Sequence, residues 1–325
     1  MVMKPDFRKL WATLVAGTAL VVLLGALWPS QTEANPPHMQ LGPKEAVVWD
    51  IYGDFVVRGQ KIHQSSLEII LATGLMDVTG CDDPNDAWAQ LLAPDDIIAL
   101  KFSPVASEVL ATNQAVAAAL IASLTQAGFS REQIMLVGFE EPPAVAAGTR
   151  PCPYGWQENL TDFGSDRDYL ALWMQEATAI INVASLMDDG ILGMRGVLAN
   201  ATLDAVKQPG RLYVNGVDPF LCDIYAHPVV GGKVRLHILN ALRVLAWGGP
   251  MGQERYIYEY GSLLLSEDPV ALDQVALHLL YRARRNVPLP KGVDESVKAP
   301  YLETAHAYGL GCNDLNQIVY HRRRP

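Results

Sequence analysis

The segment SEDPVALDQVALHLL, residues 266–280, holds two aspartates in contrasting settings. Asp268 stands directly before Pro269, where its carboxylate can accept from the first backbone amides of a helix while proline fills a position that needs no donor. Asp273 lies inside that helix. At about 100° per residue it borders the apolar arc made by Leu272, Val275, Ala276, Leu279 and Leu280. A carboxylate there needs a donor: backbone amides, an arginine such as Arg195 or Arg243, a ligand or a metal. A second group, IINVASLMDDG, supplies Asn182, Ser185, Asp188 and Asp189 at the end of an apolar run. That is where α/β folds place ligands, and the two aspartates also suit the cap of a following helix. In CDIYAHPVVGGKVRLHIL, the spacing of Cys222, Asp223, His227 and His237 fits no standard metal-binding pattern, so no metal site is assigned.

The elements that would position these groups alternate. EAVVWDIYG reads as a strand, SSLEIILATGL as a helix with serine at its start, and DDPNDAWAQLL as a helix with an acidic cap. Next come the buried strand PDDIIALKF, a helix from Thr112 to the stop at Gly128, and the strand QIMLVGF. A Pro/Gly-rich loop at 140–166 breaks the periodicity, as loops that cover or form a site do. The alternation resumes with YLALWMQEA, the strand TAIINVASL, the helical stretch GMRGVLANATLDAV and the strand KVRLHILNAL. After a Gly-Gly-Pro turn follow the strand YGSLLL, the helix at 269–285, the helix YLETAHAYG and a short strand near QIVYH. Repeated βα units predict an α/β fold, a mostly parallel sheet with helices on both faces.

The chain has 325 residues, 50% hydrophobic, and a formal net charge of -10. That length and composition support a sizeable core, and the charge argues against nucleic acid as a partner. The tail HRRRP reads as a solvated end. No GxSxG, HExxH, Walker or GxGxxG motif is present.

Lys4, Arg8 and Lys9 precede the apolar run LWATLVAGTALVVLLGALW, and SQTEA follows with a small residue at Ala34. Residues 1–34 therefore read as an export signal or an amino-terminal anchor, which would be the only membrane contact, and 35–44 as a linker. The body, 45–325, is expected to be a single domain, periplasmic or held at the outer face of the inner membrane. Cys81, Cys152, Cys222 and Cys312 form no CxxC, which argues against a self-contained iron–sulfur cluster; outside the cytoplasm they allow two disulfides.

Several segments in this order resemble the domain-of-unknown-function 362 family: AWAQLLAPDDIIALKFSP, AIINVASLMDDGILGMRGVLANATLDA, LNALRVLAWGGP, GSLLLSEDPVALDQVALHLL and ETAHAYGLGCNDLNQI. The likeness runs from about residue 85 to 320. It implies an exported protein, in some members joined to a ferredoxin-type module that this chain lacks. Lys101 and Asn200 keep positions of the family pattern, as do Asp268 and Asp273. The departures remove basic groups: Ser103 stands for an asparagine, ASLMDD replaces a Pro-Lys-Leu-Lys-Thr-His stretch, and Asn240 stands where aspartate is common. The candidate ligand-binding residues are therefore Lys101, Asn182, Asn200, Asp268 and Asp273, expected at the carboxyl ends of the sheet. They would serve an exported small-ligand-binding or redox-accessory enzyme. The alternative is a non-catalytic binding or structural subunit with a small-molecule or protein partner; the cofactor, if any, is not specified by the sequence.

Overall fold

Buried runs form the middle of the sheet: IALKF and AIINVASLMDD are buried at every position. The computed structural model describes residues 45–325 apart from Pro142, so the expected export signal and linker lie outside the described residues. The main strands are β1 (Ala46–Tyr52), β2 (Ile98–Phe102), β3 (Ile134–Val137), β4 (Ala179–Asp189), β5 (Gly193–Arg195), β6 (Val234–Leu245), β7 (Ile257–Ser266) and β8 (Ile318–Arg323). They lie in the order β8-β1-β7-β6-β4-β2-β3, with β5 folded back on β4. Parallel pairing dominates, as the alternation predicts, but β7 runs antiparallel to both neighbours.

Helices cover both faces because alternate strand residues point to opposite sides. On one face Ile98, Leu100 and Phe102 pack under α1 (Gln64–Thr79), α2 (Pro84–Leu91) and α3 (Asn113–Gln126). On the other, Ala99, Ile180 and Leu239 meet the layer of α4 (Val197–Thr202), α5 (Phe220–Ala226), α6 (Pro269–Arg284) and α7 (Tyr301–Ala307). Asp83 and Asp268 cap α2 and α6 with their carboxylates, as the sequence predicts. Other expected boundaries shift. The ring of His63, not a serine, caps α1. Thr112 precedes α3 but turns its hydroxyl to the Asn240 amide, 2.8 Å away. The expected helix from Gly193 begins as strand β5, because its backbone pairs with β4 before Gly196 starts α4. YLALWMQEA yields only one helical turn, Trp173–Glu176.

The basic tail is not a free end. Its residues up to Arg323 belong to edge strand β8, where Arg322 faces Asp50 and Arg323 faces Asp77, and Arg324 just beyond the strand faces Asp54. The acids that hold it lie more than 200 residues earlier in the chain, so local sequence cannot reveal them. No helix among the described residues is long and apolar enough to cross a membrane.

Candidate functional site

Strand register sets a polar row inside the sheet. Lys101 on β2 lies opposite Asn182 on β4, and Asn182 opposite His237 on β6; all three are buried on the face that α4 covers. The side chains continue as a one-directional chain of hydrogen bonds. Lys101 Nζ donates to Asn200 Oδ1 (3.2 Å), Asn200 Nδ2 to Asn182 Oδ1 (2.7 Å), and Asn182 Nδ2 reaches His237 Nδ1 (2.9 Å). Since Nδ1 accepts, the proton sits on Nε2, which faces Tyr225 Oη at 2.9 Å. Burial pushes the His237 imidazole down to about 3, so it stays neutral.

Asp273 joins this row from behind. Its carboxylate accepts from the amides of Val197 (2.6 Å) and Leu198 (3.1 Å) at the start of α4, while the Val197 carbonyl accepts from Asn182. Of the donors considered from sequence, the backbone amides are the ones it finds. Arg195 pairs with Asp189 and Arg243 with Glu254. Gly196 is required beside it, because a methyl there would fall on the Asp273 carboxylate. Burial pushes Asp273 up to about 7, against the lowering effect of the two amides. Asp268 sits elsewhere, at the start of α6. It accepts from Val270, Ala271 and Cys312, and burial raises it as well.

Asp188 and Asp189 are not helix caps. The strand runs through them into the β4–β5 turn, where Asp189 binds the amides of Ile191 and Leu192, and Asp188 pairs with Arg284 and the Gly248 and Gly249 amides. Of the five candidate residues, Lys101, Asn182 and Asn200 therefore form one connected group with Asp273 at its back, and Asp268 does not join it.

Above this group, at the carboxyl ends of β2 and β3, lies a cleft of about 570 Å³. Its inner end is the Lys101–Asp204 ion pair (3.0 Å), and its walls include Phe139, Trp156 and Trp173. The 140–166 loop forms one side and is fastened rather than loose. The Arg131 guanidinium holds the carbonyls of Val145 and Ala147, Arg150 N bonds to Ile134 O, and Trp156 bridges to Ala171. Gly138 at the end of β3 has φ 91° and packs on the Phe102 carbonyl, where any side chain would collide. Sequence reasoning missed Asp204, Trp156 and Trp173; the one signal was the broken periodicity of the loop that contains Trp156. A second cleft, about 720 Å³, lies at the amino ends of β1 and β6 and is lined by Asp268, His306 and Cys312, among others.

Residues 157–278 match the family model described as Domain of unknown function (DUF362). This stretch is a DUF362 domain. It contains Asn182, Asn200, Asp204, Asp268 and Asp273, whereas Lys101 and the β2–β3 edge of the cleft precede the matched residues. No curated protein matches the chain.

Within the DUF362 stretch, Cys222, Asp223, His227 and His237 go to separate partners. The Cys222 thiol points to Tyr301 O, Asp223 to Ser165, and His227 to Val229 N and the edge of Phe163. All four cysteines of the chain are free thiols, so the two disulfides that their number allows are not formed. Intervals of about 70 to 90 residues left the thiols on separate elements, beyond bonding reach. Desolvation of its sulfur by the surrounding loop, and then Glu176, push the Cys152 thiol at the cleft up to about 11.

Proposed function

We propose that the chain is an exported protein that binds a small molecule in the carboxyl-end cleft and does no chemistry on it. The observation that carries this reading is the cleft itself: about 570 Å³, walled by aromatic rings, at the strand ends where open α/β sheets receive ligands. The state of the polar residues favours binding over catalysis. A general acid or base must reach substrate with a proton to exchange. His237 is enclosed between Asn182 and Tyr225, Asp273 is enclosed by α4, no histidine is found among the described residues that line this cleft, and Asp204, the carboxylate that does reach it, is held by Lys101. Export rests on the basic and apolar pattern of residues 1–34. A redox-accessory role gains less support, since the four thiols stand apart.

Native mass spectrometry of the full chain recovered from its export compartment tests the proposal. Retained small-molecule mass should disappear in Ala146→Trp, which places a ring in the carboxyl-end cleft, and persist in Val78→Trp, which fills the other cleft. Loss of the mass only in Val78→Trp would contradict it.

A further inference from the structure

The way its charges are committed narrows what the carboxyl-end cleft can hold. Four charged side chains line it, and they balance: Lys101 and Arg150 against Glu140 and Asp204. Lys101, the innermost cation, has no donor left. An ammonium carries three N–H groups, and these go to Phe102 O (2.9 Å), Asn200 Oδ1 (3.2 Å) and Asp204 Oδ2 (3.0 Å). Its side chain is 0% exposed, so an anion could reach it only by displacing Asp204. Arg150, nearer the opening, is paired with Glu176 at 2.9 Å. The inner cation of the cleft is therefore fully committed within the fold.

Asp204 differs from its partner. It stands on the turn Leu203–Ala205 directly after α4, gives Oδ2 to Lys101, and remains 31% exposed. A carboxylate has about four acceptor sites and no donor when ionised, so it presents acceptor capacity to the cleft. Around it the walls are flat and apolar. Phe139 is edge-on to Phe102 with ring centroids 5.1 Å apart, Trp173 is buried, and the backbone of Trp156 is bridged to that of Ala171. Aromatic rings favour stacked or edge-on partners of similar shape.

We propose that the cleft takes a planar aromatic molecule bearing an O–H or N–H donor, with its ring against Trp156 and Trp173 and its donor on Asp204. This assignment rests on the reading of the cleft as a ligand site and gives that site a chemical class. The volume accommodates two or more fused rings, within the range of small-ligand pockets. The acceptor at the inner end selects donors over their alkylated or anionic analogues. A matched hydrogen bond to a charged group commonly separates such analogues by roughly tenfold or more.

Calorimetric titration of the full chain with naphthol, its methyl ether, naphthoate and decahydronaphthol tests this. Naphthol should bind at least roughly tenfold tighter than the other three. Asp204→Asn should shrink the margin between naphthol and its ether, and Trp156→Leu should weaken both while leaving their ratio unchanged, a pattern that loss of folding would not produce. Naphthoate binding as tightly as naphthol overturns the donor assignment. Tighter binding of decahydronaphthol overturns the aromatic class and leaves the cleft as a ligand site. Absence of binding by all four, or binding equal in Ala146→Trp, overturns both the class and the site.

Discussion

The two clefts are of similar size, about 570 and 720 Å³, yet they treat their polar residues in opposite ways. At the carboxyl ends of β2 and β3, Lys101 is tied to Asp204 and backed by Asn200, Asn182 and His237, so the lining that remains is largely apolar, with four aromatic side chains in it. At the amino ends of β1 and β6, the lining mixes apolar residues with four acids and two imidazoles, and Trp49 stacks on His321 with 4.3 Å between centroids. There the start of α6 has its orphan amides filled by Asp268, so it has little left for an anion. Polar residues of the family pattern thus hold the scaffold in both places, and the difference between the clefts lies in the surfaces that this internal bonding leaves over.

The largest expected effect is on Asp273, which supports the carboxyl-end side through α4. Asp273→Ala leaves two buried amides without acceptors and should cost about 3 kcal/mol or more in denaturant unfolding. Gly196→Ala should act in the same direction by displacing the same carboxylate. At the other cleft, Asp268→Ala removes a helix cap and should cost about 1–2 kcal/mol. If Asp268→Ala proved the more damaging of the two, the assignment of support to the carboxyl-end side would fail.

Acidity separates the supports further. Asp273 binds a proton more readily folded than unfolded, so its contribution is fully present below its ordinary value of 3.8 and is lost as pH rises towards about 7. Burial moves Asp268 in the same direction. His237 does the reverse: its contribution is present above the ordinary 6.5 and is lost as pH falls towards about 3. The opposing slopes overlap between about pH 4 and 6.5 and offset one another. Thermal melts of Asp273→Asn should therefore show stability falling on acidification through this window. Those of His237→Gln should show it rising, with slopes of up to about 1 kcal/mol per pH unit. Identical pH profiles in both variants would contradict the opposed roles.

The smallest effect is expected at the cleft opening, where Arg150 and Glu176 are 35% and 41% exposed. Arg150→Gln should change stability by only a few tenths of a kcal/mol and leave ring binding intact. A large loss of affinity would instead reveal an anion contact.

Local chemistry made much of this legible. Apolar runs marked β1, β2, β3 and β4; Asp83-Pro84 and Asp268-Pro269 marked helix starts; and the angle of Asp273 placed it against the core. What stayed hidden depends on distant partners. The direction of β7 follows from its pairing with β1 and β6, since YGSLLL would read the same in either direction. The arginines at 322–324 look like a solvated tail until Asp50, Asp54 and Asp77 are beside them. Lys101 looks like a free cation until Asp204, about a hundred residues on, meets it. The cleft walls were hidden too, because Trp173 follows a loop with no periodicity.

The central claim, that the carboxyl-end cleft is the ligand site, is tested most directly by a crystal structure of the full chain grown with naphthol. Ring density between Trp156 and Trp173, with its hydroxyl about 3 Å from an Asp204 oxygen, is the predicted result. Density beside Asp268 and His306 with the carboxyl-end cleft empty would contradict it.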